Sequence, residues 1–271
     1  MNKINLCLYS NEKFRIPRNA LRKYSGKSEI FDNIFEYDRN WLERTDFYRD
    51  NKEILDDPFS KGDGWCLWKP YIIKESLNKI KDDEILIYMD STDTFFNDFE
   101  SFLLNHFETN SFLFSQFSES NPNINYTKKD TFFYMGCDSQ IYWDSPQLEA
   151  GISGFKKCDL TVSFVNEYLD FCKDPRILKG GNSLRFTDPP QYLEHRYDQS
   201  VLSILSVKHD IKPNSDIKNF VECNIWESLR EWGDVSEFSR KLSRIKDTCG
   251  GEDSEHFKKW ASIYLPLLFS N

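Results

Sequence analysis

Two carboxylates, Asp90 and Asp93, flank Ser91 and Thr92 directly after the run Ile85-Leu86-Ile87-Tyr88-Met89. The charged turn Lys81-Asp82-Asp83-Glu84 bounds that run upstream. Apolar residues without alternation predict a short strand buried on both faces, as in the middle of a parallel sheet. In open α/β sheets the ligand crevice lies beyond the carboxyl ends of the strands, so both acids are expected at its mouth. Hard oxygen ligands there suit Mg²⁺ or Mn²⁺, and such a cation suits a diphosphate. The same residues also favour a turn that caps the next segment. Taken alone, the acid pair leaves both readings open.

Other residues could share that chemistry. Lys69 lies between Trp68 and Pro70, just ahead of apolar positions 72, 73, 77 and 80, a helical spacing with proline in the first turn. A cation beside free N–H groups can meet a phosphate there, although a solvated Lys beside core Trp fits equally. Ser10 ends the apolar run 4–9 and opens the polar loop Ser10-Asn11-Glu12-Lys13, a place where α/β folds hold a base or ribose. Residues 147–156 set small residues around an apolar strand, and Gly151 and Gly154 permit close approach of a ligand or backbone. His195, Asp198 and Gln199 gather where a helix over 201–207 begins, with Asp198 expected as its cap. Ahead of them, 175–190 is rich in Gly, Pro, Asn and Asp and predicts a long surface loop, a lid or acceptor loop.

The elements that must position these residues alternate. Strands are expected over 4–9, 30–37, 85–89, 111–115 and 147–156. Helices are expected over 15–24, 71–80, 94–107, 161–172 and 201–207, with a polar helix or ordered loop over 38–51. Trp226, Leu229, Trp232, Phe238 and Leu242 suggest further helices before a Gly250-Gly251 break. No internal repeat or low-complexity tract interrupts the chain.

With 271 residues, 39% of them apolar and 23 Phe, 13 Tyr and 7 Trp, a sizeable aromatic core is within reach. A charged fraction of 29% suits a soluble protein, and no stretch approaches the ~20 apolar residues of a membrane span. The first residues are too few and too polar for a signal peptide and read as the first strand. Seven scattered Cys without a CxxC pair read as free thiols in a reducing compartment, so a cytoplasmic location is expected. A net charge of −9 argues against a nucleic-acid surface but allows one locally positive pocket for an anionic nucleotide.

Four segments now fall in one order: WKPYII at 68–73, IYMD at 87–90, AGISGF at 150–155 and HRYDQS at 195–200. Together they resemble nucleotide-sugar glycosyltransferases of the GT-A fold. The resemblance is closest to bacterial and viral polysaccharide-building enzymes, more distant to the glycogenin and lipopolysaccharide galactosyltransferase group, and spans roughly residues 4 to 210. It implies a Rossmann-like α/β domain over 1–212 with a mixed, mainly parallel sheet flanked by helices, and a helical extension over 213–271 packed on it. The implied activity moves a sugar from a UDP- or GDP-sugar to a glycan or other hydroxyl acceptor, with Mn²⁺ or Mg²⁺ on the diphosphate.

Residue by residue, Asp90 matches the first acid of the family's DxD motif. Thr92 stands at the motif's third position, and the second acid falls one place later, at Asp93. Lys69, beside Trp68, matches a basic position facing the diphosphate or sugar. Asp198 and Gln199 match a pair lining the donor sugar and the reacting face, with His195 and Arg196 just ahead of them. Gly151 and Ser153 lie on the strand matching the one beside the acceptor. The family's C-terminal metal-binding His has no clear counterpart; His209 and His256 are the later candidates. In an inverting transfer Asp198 is the first candidate base, Asp130 and Asp138 the weaker ones. In a retaining one the leaving phosphate can take the proton, with Gln199 on the opposite sugar face. A metal-dependent nucleotidyltransferase and a catalytically inactive nucleotide-sugar-binding protein stay open beside it. The first would usually carry a Gly-rich loop after the first strand, and Tyr9-Ser10-Asn11-Glu12-Lys13 has no Gly.

Overall fold

The structure, a computed structural model, describes residues 2–96, 98–117, 121–224, 235–249 and 251–268. The first half of the chain gives β1 (Ile4–Ser10), α1 (Arg15–Ser28), β2 (Asn33–Asp38), α2 (Trp68–Lys79), β3 (Ile85–Met89) and β4 (Thr94–Phe95). After these come α3 (Phe99–Thr109), β5 (Phe112–Gln116), β6 (Leu148–Lys156), α4 (Asp159–Cys172) and α5 (Tyr197–Lys208). The two-residue strand β7 (Val221–Glu222) and the helices α6 (Val235–Thr248) and α7 (Glu255–Leu268) complete the series. Short helical turns fill several connections.

Five strands form one sheet in the order β2-β1-β3-β6-β5. β2, β1 and β3 run parallel, and β6 is antiparallel to both of its neighbours, β3 and β5. This is the mixed, mainly parallel α/β sheet that the resemblance implies. β1 and β3 are buried along their whole length. Their alternating side chains feed two cores. Cys7, Tyr9, Leu86 and Tyr88 join α2, α4 and α5 on one face. Leu6, Leu8, Ile87 and Met89 join α1, α3, α6 and α7 on the other. Trp260 of α7 donates from Nε1 to Thr94 Oγ1 at 3.0 Å, so the C-terminal helices share a core with the sheet.

The structure departs from several sequence expectations. The helix expected from residue 94 begins at Phe99, because Thr94 and Phe95 pair with β7 and Asp98 adopts a left-handed backbone, φ 62°, that starts the helix late. The loop over 175–190 opens with a helical turn, Pro175–Leu178, and is then pinned by Asp130, whose carboxylate accepts from the amides of Leu184, Arg185 and Phe186. Asp130 is therefore a loop anchor, and Asp138 pairs with Lys129 at 2.6 Å, so neither weaker base candidate faces the site. His209 pairs with Glu167 at 2.6 Å, away from the site, and His256 lines a separate cavity beside α1 and α7. Trp226, Leu229, Trp232 and Gly250 lie outside the described residues. Among the described residues no helix is long and apolar enough to cross a membrane.

Gly154 lets β6 sit between β3 and β5. Opposite Ile87 and Leu113, a Cβ at this position would meet Phe107 Cζ at 2.9 Å, Ile87 Cδ1 at 3.0 Å and Leu113 Cβ at 3.0 Å. Gly154→Ala is therefore expected to destabilise the chain by about 1–3 kcal/mol through overpacking, read as a lower urea midpoint at unchanged slope.

Candidate functional site

At the carboxyl ends of β1 and β3 the first turn of α2 presents Lys69. The segment ahead of it, residues 62–66, runs through five consecutive left-handed residues: Gly62, Asp63, Gly64, Trp65 and Cys66, with φ from 58° to 77°. For the three that are not glycine this conformation costs roughly 1–2 kcal/mol each, so the surroundings must impose it. Tyr9 donates its hydroxyl to Asp63 Oδ2 at 2.5 Å, and Arg39 pairs with Asp63 at 3.2 Å. Trp65 Nε1 donates to Asp57 at 3.0 Å, and Trp68 Nε1 to the Gly62 carbonyl at 3.0 Å. Gly64 also allows close approach, since a Cβ there would sit 2.7 Å from Leu55 Cα. These contacts make the stretch a tethered turn that aims Lys69 inward.

Lys69 is buried, and its Nζ meets three acceptors: the Ala150 carbonyl at 3.0 Å, Asp90 Oδ1 at 3.3 Å and Asp198 Oδ2 at 3.4 Å. Burial alone would depress its pKa, but Asp198 and then Asp90 outweigh that and hold it above the ordinary lysine value. Asp90 continues β3 by donating its amide to the Gly151 carbonyl at 2.7 Å, while Tyr88 donates its hydroxyl to Asp90 Oδ1. The Asp198 side chain is 4% exposed, that of Asp90 36%, so Asp90 is the carboxylate open to a ligand. Burial raises the Asp198 pKa, Lys69 opposing the shift and Asp90 adding to it. Tyr168 of α4 donates to Asp198 Oδ2 at 3.1 Å. Asp198 is thus in the first turn of α5 but turned into the core, and the expected capping role falls away.

Two cavities meet at this cluster, sharing Cys66, Lys69 and Asp90 in their walls. The first, about 210 Å³, is bounded by Ser10, Asn11 and Phe14 and by Tyr9 and Trp68, whose rings stack at 3.8 Å. The second, about 330 Å³, is lined by Gly151, His195, Arg196, Asp198 and Gln199. Each contributes a buried polar atom without a hydrogen-bond partner among the described residues: Ser10 Oγ in the first, Gln199 Nε2 in the second. An unmet buried donor costs about 1–3 kcal/mol, which a bound polar group can offset.

Most of the expected site residues therefore converge on these cavities. Ser153 does not. It is buried in the sheet, in register with Tyr88 and Phe114, and lines neither cavity. Asp93 is also buried and lines neither; its Oδ1 accepts from the Asn224 amide at 2.8 Å, a tie to a distant segment rather than a cap on the next one. A Cβ on Gly151 would lie 2.9 Å from Asp93 Oδ2 and 3.5 Å from Asp90 Oδ2, so glycine leaves room over which the two carboxylates converge. Among the described residues no group of three or more His, Cys, Asp or Glu side chains is arranged to hold a metal ion. A single open carboxylate, Asp90, does fit a Mg²⁺- or Mn²⁺-type ion whose remaining ligands are waters and phosphate oxygens. The Arg196 guanidinium stacks over Phe117 and Tyr126 at 4.2 and 4.4 Å, which positions it as part of the wall.

Sequence reasoning missed Tyr88, Tyr168, Cys66 and Asn224. Tyr88 stands two positions before Asp90 on a strand, hence on the same face, a signal that was available. Tyr168 and Asn224 carried none, since their distance from the acids is closed only by folding.

No family model matches the chain, and no curated protein matches it. Solved structures similar to it include the apo form of the WbbM bifunctional glycosyltransferase, at 11% identity over 75% of this chain and TM-score 0.42. Another is a glycosyltransferase involved in glycosylation of the major capsid of PBCV-1, at 12% identity over 62% of this chain and TM-score 0.32. A third is the apo form of mouse xyloside xylosyltransferase 1, at 11% identity over 94% of this chain and 96% of that one, TM-score 0.44. The chain spans 37% of the length of the first and 65% of the second. At these identities the likeness is a distant one of fold.

His195 supplies a test of the site's packing. Its Nε2 lies 2.9 Å from the Ile177 carbonyl, and burial, reinforced by Lys128, pushes its pKa down to about 3. The folded ring stays neutral while the unfolded ring protonates below about pH 6.5. Stability is thus lost as pH falls from 6.5 toward 3, by about 2 kcal/mol between pH 7 and pH 5 from this group. Denaturant midpoints at the two pH values should drop less in His195→Gln than in the wild type.

Proposed function

We propose that the chain is a glycosyltransferase that moves a sugar from a nucleoside diphosphate sugar, UDP- or GDP-linked, to a hydroxyl of a glycan or other acceptor in glycan or polysaccharide biosynthesis. The observation that carries this reading is the Lys69 ammonium held between Asp90 and Asp198 where the two cavities meet. The four segments that resemble GT-A enzymes, far apart in sequence, each contribute a residue to that meeting point: Lys69, Asp90, Gly151 and Asp198. A cytoplasmic setting belongs to the reading, in keeping with scattered cysteines and no CxxC pair.

The first cavity suits the nucleoside half of the donor, with the Tyr9–Trp68 stack as an aromatic wall and Ser10 Oγ as an unmet polar atom. The diphosphate then lies toward Lys69 and Asp90. Breaking the sugar–phosphate bond builds negative charge on the departing diphosphate, and a preorganised ammonium stabilises that charge as it forms. Asp90 would hold a Mn²⁺ or Mg²⁺ ion, which supplies further electrostatic stabilisation of the leaving group when bound. Asp198, nearly closed to solvent and already holding Lys69 and the Tyr168 hydroxyl, fixes the ammonium and borders the transferred sugar. Gln199 Nε2 offers the sugar a donor in the second cavity, where the acceptor hydroxyl enters past Gly151.

Hydrolysis of a panel of UDP- and GDP-sugars, with and without Mn²⁺, tests the proposal. Asp90→Ala is expected to lower turnover by about 10²–10³ while circular dichroism stays unchanged. Wild-type turnover in that variant would remove the assignment. Asp198→Asn should lower kcat more than it raises KM, because it loosens Lys69 in the transition state; a change confined to KM would reduce Asp198 to a binding role.

A further inference from the structure

A third cavity, about 580 Å³, opens on the far side of the loop that carries His195, and the transfer chemistry does not use it. Lys128, Arg176, Lys179 and Arg185 line it, together with Tyr134 and the exposed Leu184. Asp130 is the one carboxylate in its lining among the described residues, and its oxygens are taken by the amides of Leu184, Arg185 and Phe186. Arg176 and Lys179 pair at 2.5 and 2.8 Å with Asp174 and Asp57, neither of which lines the cavity. Asp188 spends its carboxylate on the Lys129 amide and on Ser183. Among the described residues Arg185 has no ion-pair partner, and the Lys128 ammonium donates to the Lys179 carbonyl at 2.6 Å. Burial pushes the Lys128 pKa down to about 8, with Asp130, Asp188 and Asp174 opposing the shift. Four cations thus line this cavity beside one carboxylate, in a chain of net charge −9.

We propose that this cavity holds an anionic saccharide unit of the acceptor, bound through Arg176 and Arg185, so that the preferred acceptor is an acidic glycan. The proposal rests on the glycosyl-transfer reading above. Guanidinium groups meet carboxylate and phosphate oxygens in a bidentate fork. Here they are held over aromatic faces, Arg176 over Tyr134 at 4.1 Å and Arg185 over Phe133 at 4.6 Å. Position gives the link to the reaction. Gly180 lines this cavity, and a Cβ on it would lie 2.5 Å from the Trp65 ring and 2.7 Å from that of Tyr197. Tyr197 in turn lines the cavity of Lys69 and Asp198, so one layer of side chains separates the two. On this proposal an oligosaccharide whose terminal hydroxyl enters the second cavity would pass over that layer and place a preceding unit here.

The test measures binding of three oligosaccharides of equal length to the full chain by calorimetry: a uronate oligomer, a phosphorylated oligomer and a neutral one. The wild type is expected to bind at least one anionic oligomer tenfold or more tighter than the neutral one, and the better of the two identifies the anion. The double variant Arg176→Gln/Arg185→Gln, altered on the surface, should lose that preference and keep donor hydrolysis within twofold. Equal affinity for neutral and anionic oligomers in the wild type, or an unchanged preference in the variant, overturns the proposal. Donor hydrolysis is read separately: its absence in the wild type overturns the glycosyltransferase reading, and with it the acceptor role, whatever the binding shows.

Discussion

The site depends on one buried ammonium shared by two carboxylates. Taking Lys69 out of water is costly, and Asp198 is buried with it, so neither charge is tolerable without the other. Burial and then Asp90 raise the Asp198 pKa, and the ammonium beside it opposes that rise. The three groups come from the start of α2, the end of β3 and the first turn of α5, and the Ala150 carbonyl from β6 accepts as well. Removing one partner of such a group leaves a buried charge uncompensated, typically a loss of about 3–5 kcal/mol. The cluster is thereby a fold constraint as well as a chemical one.

The backbone around it is built to allow that approach. The left-handed turn over 62–66 is unfavourable for Asp63, Trp65 and Cys66, and it persists because Tyr9, Arg39 and Asp57 hold its side chains from three other segments. Gly151 serves the same end from the other side, since any side chain there would occupy the space between the two aspartates of the turn. Strain and close approach of this kind are concentrated where a ligand must be gripped rather than spread through the sheet.

Charge is distributed with the same logic. The chain is acidic overall, yet Lys69 sits where the first two cavities meet and four cations gather around the neighbouring cavity. The loop between the two cavities is held by carboxylates that accept backbone amides, Asp130 and Asp188, while Arg176 and Arg185 are exposed and Lys128 is buried.

Local pattern was enough for the framework. The apolar run at 85–89, and that at 4–9 with Asn5 as its one polar member, specify strands buried on both faces, because only interior strands can use such residues on alternate sides. Helical spacing after Pro70 and over 161–172 likewise specified α2 and α4, and the order of four short segments pointed to Lys69, Asp90 and Asp198 together. What depended on distance in space was decided by the fold alone. Asp93 and Asp90 look equivalent three residues apart, yet the turn sends one carboxylate to the Asn224 amide and the other to the cavity. Ser153 reads like Gly151 as a small residue on one strand, but Ser153 pairs within the sheet with Tyr88 and Phe114, whereas Gly151 stands at the strand end beside Asp90 and lines the cavity. Asp198 reads as a helix cap, and becomes a core carboxylate because Lys69 and Tyr168, distant in sequence, are brought within reach of it. Sequence determines which groups are present and which local shapes they favour; which charge faces which is settled when separate elements pack, since Coulomb and desolvation energies depend on separation and burial that no local pattern encodes.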